Sequence, residues 1–173
     1  INGEDTAKLS IEFAEAYENT GFAYIINHGV DPSLRDAVFT ASKQFHALPD
    51  AKKKAVMLNT CHRGYISINT SIDVKSDLAE VTKPNQSASF MMMREDAEAD
   101  PNVYLSGPNQ WPALHGFRDA CEGYVSVMTK LGYTLMGLAL ESIGVSNQTN
   151  LKVFEIPTIW LRLLPYPPQS PQA

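Results

Sequence analysis

With 173 residues, 44% of them hydrophobic and 19% charged, the chain has the composition of a packed globular domain rather than a disordered or fibrous one. Fourteen Lys and Arg against nineteen Asp and Glu give a net charge of −5 and leave no basic footprint for nucleic acid. No apolar run reaches the roughly 20 residues of a membrane-spanning helix, and no signal-peptide core opens the chain. Neither nucleic acid nor membrane is therefore expected as a partner, and the expected location is cytoplasmic, with Cys61 and Cys121 as free thiols lacking CxxC spacing.

Leu9, Phe13 and Tyr17 recur at four-residue steps among charged residues and predict a helix over 5–19, ended by Asn19-Thr20-Gly21. Phe22-Ala23-Tyr24-Ile25-Ile26 predicts a strand, with Asn27-His28-Gly29 as the turn after it. Asp31 caps a second helix with Pro32 at its first position and Leu34, Val38, Ala41 and Phe45 along its buried stripe. After Leu48-Pro49-Asp50, residues 51–57 form a short Lys-rich helix with a solvated face.

Residues 61–112 read as a long loop carrying short strands. A central, buried helix is predicted over 112–143 from the spacing of Phe117, Cys121, Tyr124, Met128, Leu131, Leu135 and Leu138. Gly116, Gly123, Gly132 and Gly137 inside it suggest that other elements approach closely. Residues 151–164 read as strand, and the long helix is expected to pack on a sheet made from 22–26 and 159–164. The organisation expected is one domain over 1–173, mixed α/β. Because it starts at Ile1 and closes on the Pro-rich stretch from Tyr166 to Ala173, the chain is expected to be a piece of a longer protein.

Local motifs carry little chemistry. His28, His46, His62 and His115 show no HxH, HxD or HExxH spacing. The signatures of α/β-hydrolases, P-loop enzymes and dinucleotide binders are missing. No catalytic and no metal-ligating residue is assigned. Phe90-Met91-Met92-Met93 could line an apolar pocket or fill the core, and Arg94 with Glu95, Asp96, Glu98 and Asp100 reads as a solvated run.

The order of short strings says more. Gly21-Phe22-Ala23-Tyr24-Ile25-Ile26-Asn27-His28-Gly29-Val30 comes first, then Phe45-His46-Ala47-Leu48-Pro49 with Lys52-Lys53-Lys54, and then Arg63-Gly64-Tyr65. Asn109-Gln110-Trp111-Pro112 with Phe117-Arg118 follows, and Leu161-Arg162-Leu163-Leu164-Pro165-Tyr166-Pro167-Pro168 ends the series. In this order the strings resemble the N-terminal half of the isopenicillin N synthase-like family of iron(II)/2-oxoglutarate-dependent dioxygenases.

The resemblance implies the helical and strand portion of a double-stranded β-helix, or jelly roll, left incomplete in this chain. It implies Fe(II) and 2-oxoglutarate as cofactors, O2 and a small molecule as substrates, and hydroxylation or desaturation as the reaction. The family's HxD pair follows the "YPP" string, so the metal ligands are expected downstream and the 173 residues alone are expected to be inactive. Tyr166 matches a tyrosine that reaches 2-oxoglutarate in several relatives, and Arg162 a basic position on the same strand; each could instead only pack or form a structural ion pair. Arg63 and Ile66 lie in the segment that borders the mouth of the roll and are the candidate substrate residues. His62 and Ile66 replace the arginine and tyrosine of the penicillin-forming members, which disfavours their peptide substrate. Leu164 and Pro165 also depart from the family pattern. The alternatives are a non-catalytic binding or assembly module and a family member that uses no 2-oxoglutarate.

Overall fold

The computed structural model describes residues 5–70, 86–95, 99–100, 102–145 and 151–168. The tail residues 169–173 and the acids Asp96 and Glu98 named above lie outside them. Two compact units divide the chain, one made of Ile1–Arg35 with Gly123–Pro157 and the other of Asp36–Glu122 with Thr158–Ala173. No helix among the described residues is long and apolar enough to cross a membrane.

In the first unit α1 runs over Thr6–Asn19. Asp5 caps it by accepting from the Ala7 N–H at 3.0 Å, and Gly21, at φ 84, lets the chain turn away while the Thr20 and Gly21 N–H groups close on the Ala16 carbonyl. Phe13 and Tyr17 stack one helical turn apart with centroids 4.4 Å from each other. The predicted strand at 22–26 is neither helix nor strand and joins no sheet among the described residues; β-propensity alone does not make a strand, which needs a hydrogen-bonded neighbour. Asp31 caps α2 (Pro32–His46) as its position requires, accepting from the Ser33 N–H at 2.8 Å, and this bond holds its carboxyl below the usual range.

The long helix α4 covers Phe117–Ser142, five residues shorter at its start than the sequence predicts. Gly116 sits before it at φ 74, in a turn rather than in the helix. Close approach at the internal glycines is not found: a Cβ at Gly123 or Gly137 would meet Leu34 or Leu151 at 3.9 Å, ordinary contact, and one at Gly132 would meet nothing. Nor is the helix buried throughout. Phe117, Cys121 and Leu138 are buried, whereas Leu131 and Leu135 are half-buried. The expected strand over 151–164 shrinks to β3 at Trp160–Leu163, preceded by a 3-10 turn at Lys152–Phe154. Pro157 lies between them and has no N–H for a ladder.

The second unit is built on a three-stranded antiparallel sheet ordered β1 (Gly64–Ile66), β2 (Ser89–Met93), β3. Tyr65 pairs with Phe90 and Phe90 with Leu163, so these three side chains share one face. That face packs on Phe45 from the end of α2 and Phe117 from the start of α4. Ring centroids lie 4.9 Å apart for Phe45 and Phe90 and 5.0 Å for Phe90 and Phe117, at interplanar angles of 63° and 89°. Edge-to-face rings of this kind add about 0.5–1.5 kcal/mol each beyond burial. Met91, Met92 and Met93 are buried along the central strand, so the methionine run fills the interior of this unit.

The short helix α3 (Asp50–Lys54) is not wholly a solvated face. The Lys53 side chain is 14% exposed, since its ammonium bonds Asp50 at 3.0 Å, donates to the His46 carbonyl and lies 5.8 Å from the centre of the Tyr65 ring.

Candidate functional site

Of the positions singled out by resemblance, Ile66 and Arg162 lie on strands of the sheet, Arg63 precedes β1 and Tyr166 follows β3. Gly64 pairs with Met91 and Met91 with Arg162, while Ile66 pairs with Ser89 and Trp160 with Met93. Ile66 and Arg162 therefore stand on the same face, opposite the aromatic cluster, with β2 between them. Two strand spacings and the two-residue offset from Ser89 to Met91 set their separation at roughly 12 Å. Arg162 is exposed on β3, Ile66 is half-buried on β1, and Tyr166, beyond the end of β3, is 76% exposed.

Arg63 is placed otherwise than its expected position at a mouth suggests. It is 1% exposed, and its guanidinium donates to three carbonyls: Cys61 at 3.0 Å, Arg94 at 2.9 Å and Leu105. Leu105 adopts a left-handed backbone with φ 63, a conformation that leucine rarely takes and that persists only where surrounding bonds hold it. Five N–H donors in a rigid fork suit Arg63 to gather carbonyls from separate segments. It joins the turn before β1, the end of β2 and the loop around Leu105 through hydrogen bonds to backbone carbonyls.

Asn109-Gln110-Trp111 brace the same region. The Asn109 side chain mimics a strand neighbour to Met93, donating to its carbonyl at 2.8 Å and accepting from its N–H at 3.0 Å. Gln110 Nε2 donates to the Arg63 carbonyl at 2.7 Å and to the Met57 carbonyl. Glu95 accepts from the Asn109 N–H, from Trp111 Nε1 and from Arg118, each at 3.1 Å. The Arg118 guanidinium lies 5.2 Å from the centre of the Trp111 ring, and its proton is held more tightly by Glu122, Glu95 and Asp119. Glu95, read from sequence as part of a solvated run, is instead the hub of this bracing. Charge alone gave no sign of it, because its partners lie 14 to 23 residues away.

Among the described residues no three His, Cys, Asp or Glu side chains come together as metal ligands. His28 accepts through Nδ1 from the Val30 N–H at 3.0 Å, and His62 and His115 are exposed on separate turns. Burial pushes the Cys121 thiol up to about 12, aided by Glu122, so it is protonated and unreactive at neutral pH. His46 ends α2 against Phe45 and Tyr65, where burial and the nearby Lys53 charge lower its pKa against the opposing pull of the Leu163 backbone. Its Nε2 is buried with no hydrogen-bond partner among the described residues.

Because the folded state disfavours His46 protonation, the unfolded chain takes up that proton first as pH falls. The stability associated with neutral His46 is complete above the unfolded value of about 6.5 and is lost below it. The melting temperature is expected to drop between pH 7.5 and 5.5, and His46→Gln to flatten that drop. An unchanged slope in thermal melts of the variant would place the titration elsewhere.

Residues 1–114 match the family described as "non-haem dioxygenase in morphine synthesis N-terminal". The chain is 28% identical over 179 aligned residues to the 2-oxoglutarate-Fe(II) type oxidoreductase hxnY of Emericella nidulans, covering 97% of this chain and 50% of that protein. Azadirone synthase LFS of Melia azedarach is 34% identical over 142 residues, covering 76% and 41%. Among solved structures, a full-length Neurospora crassa protein in complex with alpha-KG and thymine superposes with a TM-score of 0.74 at 25% identity, covering 96% of this chain and 52% of that one. The chain thus spans about half the length of the relatives it matches. With the family match running over residues 1–114, the chain belongs to the non-haem dioxygenase N-terminal family.

Proposed function

We propose that these residues are part of an iron(II)- and 2-oxoglutarate-dependent oxygenase that hydroxylates or desaturates a small molecule. The observation that carries this reading is likeness along 97% of the chain to a 2-oxoglutarate-Fe(II) type oxidoreductase. That the Neurospora protein binds alpha-KG, at 25% identity, adds support. In this reading the antiparallel sheet contributes strands to a jelly roll whose remaining strands and metal ligands lie outside the described residues. The iron, bound there, supplies oxygen activation coupled to decarboxylation of 2-oxoglutarate to succinate.

The roles of this chain are binding and support. Arg162 offers a guanidinium fork to a carboxylate, and Tyr166 offers one phenolic donor; both are exposed. Ile66, on the same face as Arg162, gives the small-molecule substrate an apolar contact. Arg63 acts through the backbone it holds and positions the segment from which Ile66 projects.

The direct test is succinate release by the full-length protein, dependent on added Fe(II) and 2-oxoglutarate, with the 173-residue chain giving none. Turnover by the 173 residues alone would overturn this division of labour. Tyr166→Phe is expected to raise KM for 2-oxoglutarate about ten- to a hundredfold, the equivalent of one hydrogen bond to a charged group at roughly 1.5–3 kcal/mol. A change below twofold in steady-state succinate assays would make Tyr166 a packing residue.

A further inference from the structure

His46 closes α2 against the sheet of the second unit with one ring nitrogen left over. Its ring packs on Phe45 with centroids 5.1 Å apart and on Tyr65 of β1 at 6.3 Å, and it faces the Leu163 backbone of β3. The charged or titratable groups against it are Tyr65 and Lys53 of α3, whose ammonium donates to the His46 carbonyl at 3.3 Å and pairs with Asp50 at 3.0 Å. Nε2 is buried and finds no hydrogen-bond partner among the described residues. In the neutral ring this nitrogen is a bare acceptor, the cheaper group to leave unmatched. In the charged ring both nitrogens are donors, so a buried N–H lacks an acceptor and a second positive charge stands beside Lys53. Acid therefore favours an arrangement in which the ring leaves for water and gives up its contacts with Tyr65 and Leu163.

Leu163 connects this ring to the ligand-binding positions. It is buried on the aromatic face of the sheet, Arg162 precedes it on β3, and Tyr166 follows three residues later. We propose that His46 is an acid-sensitive latch between the end of α2 and β3, and that its protonation loosens β3 and weakens the grip of Arg162 and Tyr166 on 2-oxoglutarate. The ligand in this inference rests on the oxygenase reading, whereas the latch rests on the packing of His46 alone. Loosening begins as pH falls past the value of a solvated histidine, about 6.5, and each further pH unit shifts the two populations by at most about tenfold.

The experiment compares the full-length wild type with His46→Gln and His46→Phe, the second keeping an aromatic ring that takes no charge. Two quantities are measured at pH 7.5 and 5.5: hydrogen exchange of the peptide spanning residues 160–164, corrected for the intrinsic pH dependence of exchange, and 2-oxoglutarate binding by anaerobic calorimetry with Fe(II). Wild-type protection is expected to fall about five- to tenfold on acidification, and the wild-type Kd to rise at least about threefold more than that of either variant. Equal pH dependence in the wild type and a folded variant overturns the proposal, as does a wild type that changes less than about twofold. A His46-dependent loss of protection without a matching change in Kd overturns it as well. If the wild type binds no 2-oxoglutarate at either pH, the oxygenase reading fails, and the exchange data then judge the latch by themselves.

Discussion

Gly64→Ala is expected to destabilise the protein by about 3 to 5 kcal/mol, the sum of a strained backbone and an overpacked site. Gly64 opens β1 at φ 116, where only glycine is free of Cβ strain. A Cβ there would collide with the Val56 carbonyl oxygen and lie 2.6 Å from Gln110 Nε2 and 2.8 Å from the Met57 carbonyl oxygen. Two of these neighbours are backbone, and the third is itself bonded to the Arg63 and Met57 carbonyls, so none can move without breaking other contacts. The Val56 carbonyl also accepts the Tyr65 N–H at 2.7 Å, and Tyr65 packs on Phe45 with centroids 5.8 Å apart. Any shift is therefore transmitted to the aromatic core. Urea denaturation monitored by fluorescence checks this. A midpoint within error of the wild type would mean that the 56–57 segment gives way freely.

The second large effect is expected at Arg63. Arg63→Met should cost about 3 kcal/mol or more, because the carbonyls of Cys61, Arg94 and Leu105 lose a charged donor, and a buried acceptor left unsatisfied costs about 1–3 kcal/mol. Arg63→Lys should rescue little, since a compact ammonium cannot span three carbonyls as the fork does. Chemical denaturation gives the stability of each variant, and succinate assays with varied small-molecule substrate give KM. If Arg63→Lys keeps full stability and only raises that KM, the side chain contacts substrate and its position beneath the loop is not what matters. If stability falls and KM changes only in step with it, Arg63 is a positioning residue.

The two residues illustrate different degrees of legibility. The positive φ at Gly64 is one that glycine, by its residue type alone, adopts without strain. Nothing local distinguishes an arginine facing a ligand from one facing carbonyls. The partners of Arg63 are 2, 31 and 42 residues away, so only the path of the chain reveals them. The same holds for Glu95. Its three neighbouring acids suggested solvent exposure, and its bonds to Asn109, Trp111 and Arg118 appear only when the loop folds back. The Asn109-Gln110-Trp111 string helped to mark the family by its order along the chain, and its side chains prove to brace β2 and the turn before β1.

What the sequence determined by itself is local or ordinal. Asp5 and Asp31 as caps, Gly21 as a helix end, the amphipathic spacing of α1 and α2 and the core positions Val38, Ala41 and Phe45 follow from interactions within a few residues. The family was legible from the order of short strings. Tertiary structure decided which runs became strands: Ser89–Met93, in a stretch read as a long loop carrying short strands, is the central strand of the sheet, whereas residues 22–26, with stronger β-propensity, join no sheet among the described residues. The reason is that a strand exists only through hydrogen bonds to another segment, and propensity reports how well a run would fit a sheet without saying whether a neighbour is there. Tertiary structure likewise turned Arg63 inward, because carbonyls 31 and 42 residues away gather around it, and left Arg162 exposed, because the direction of a side chain on a strand depends on register, which is set by pairing across the sheet.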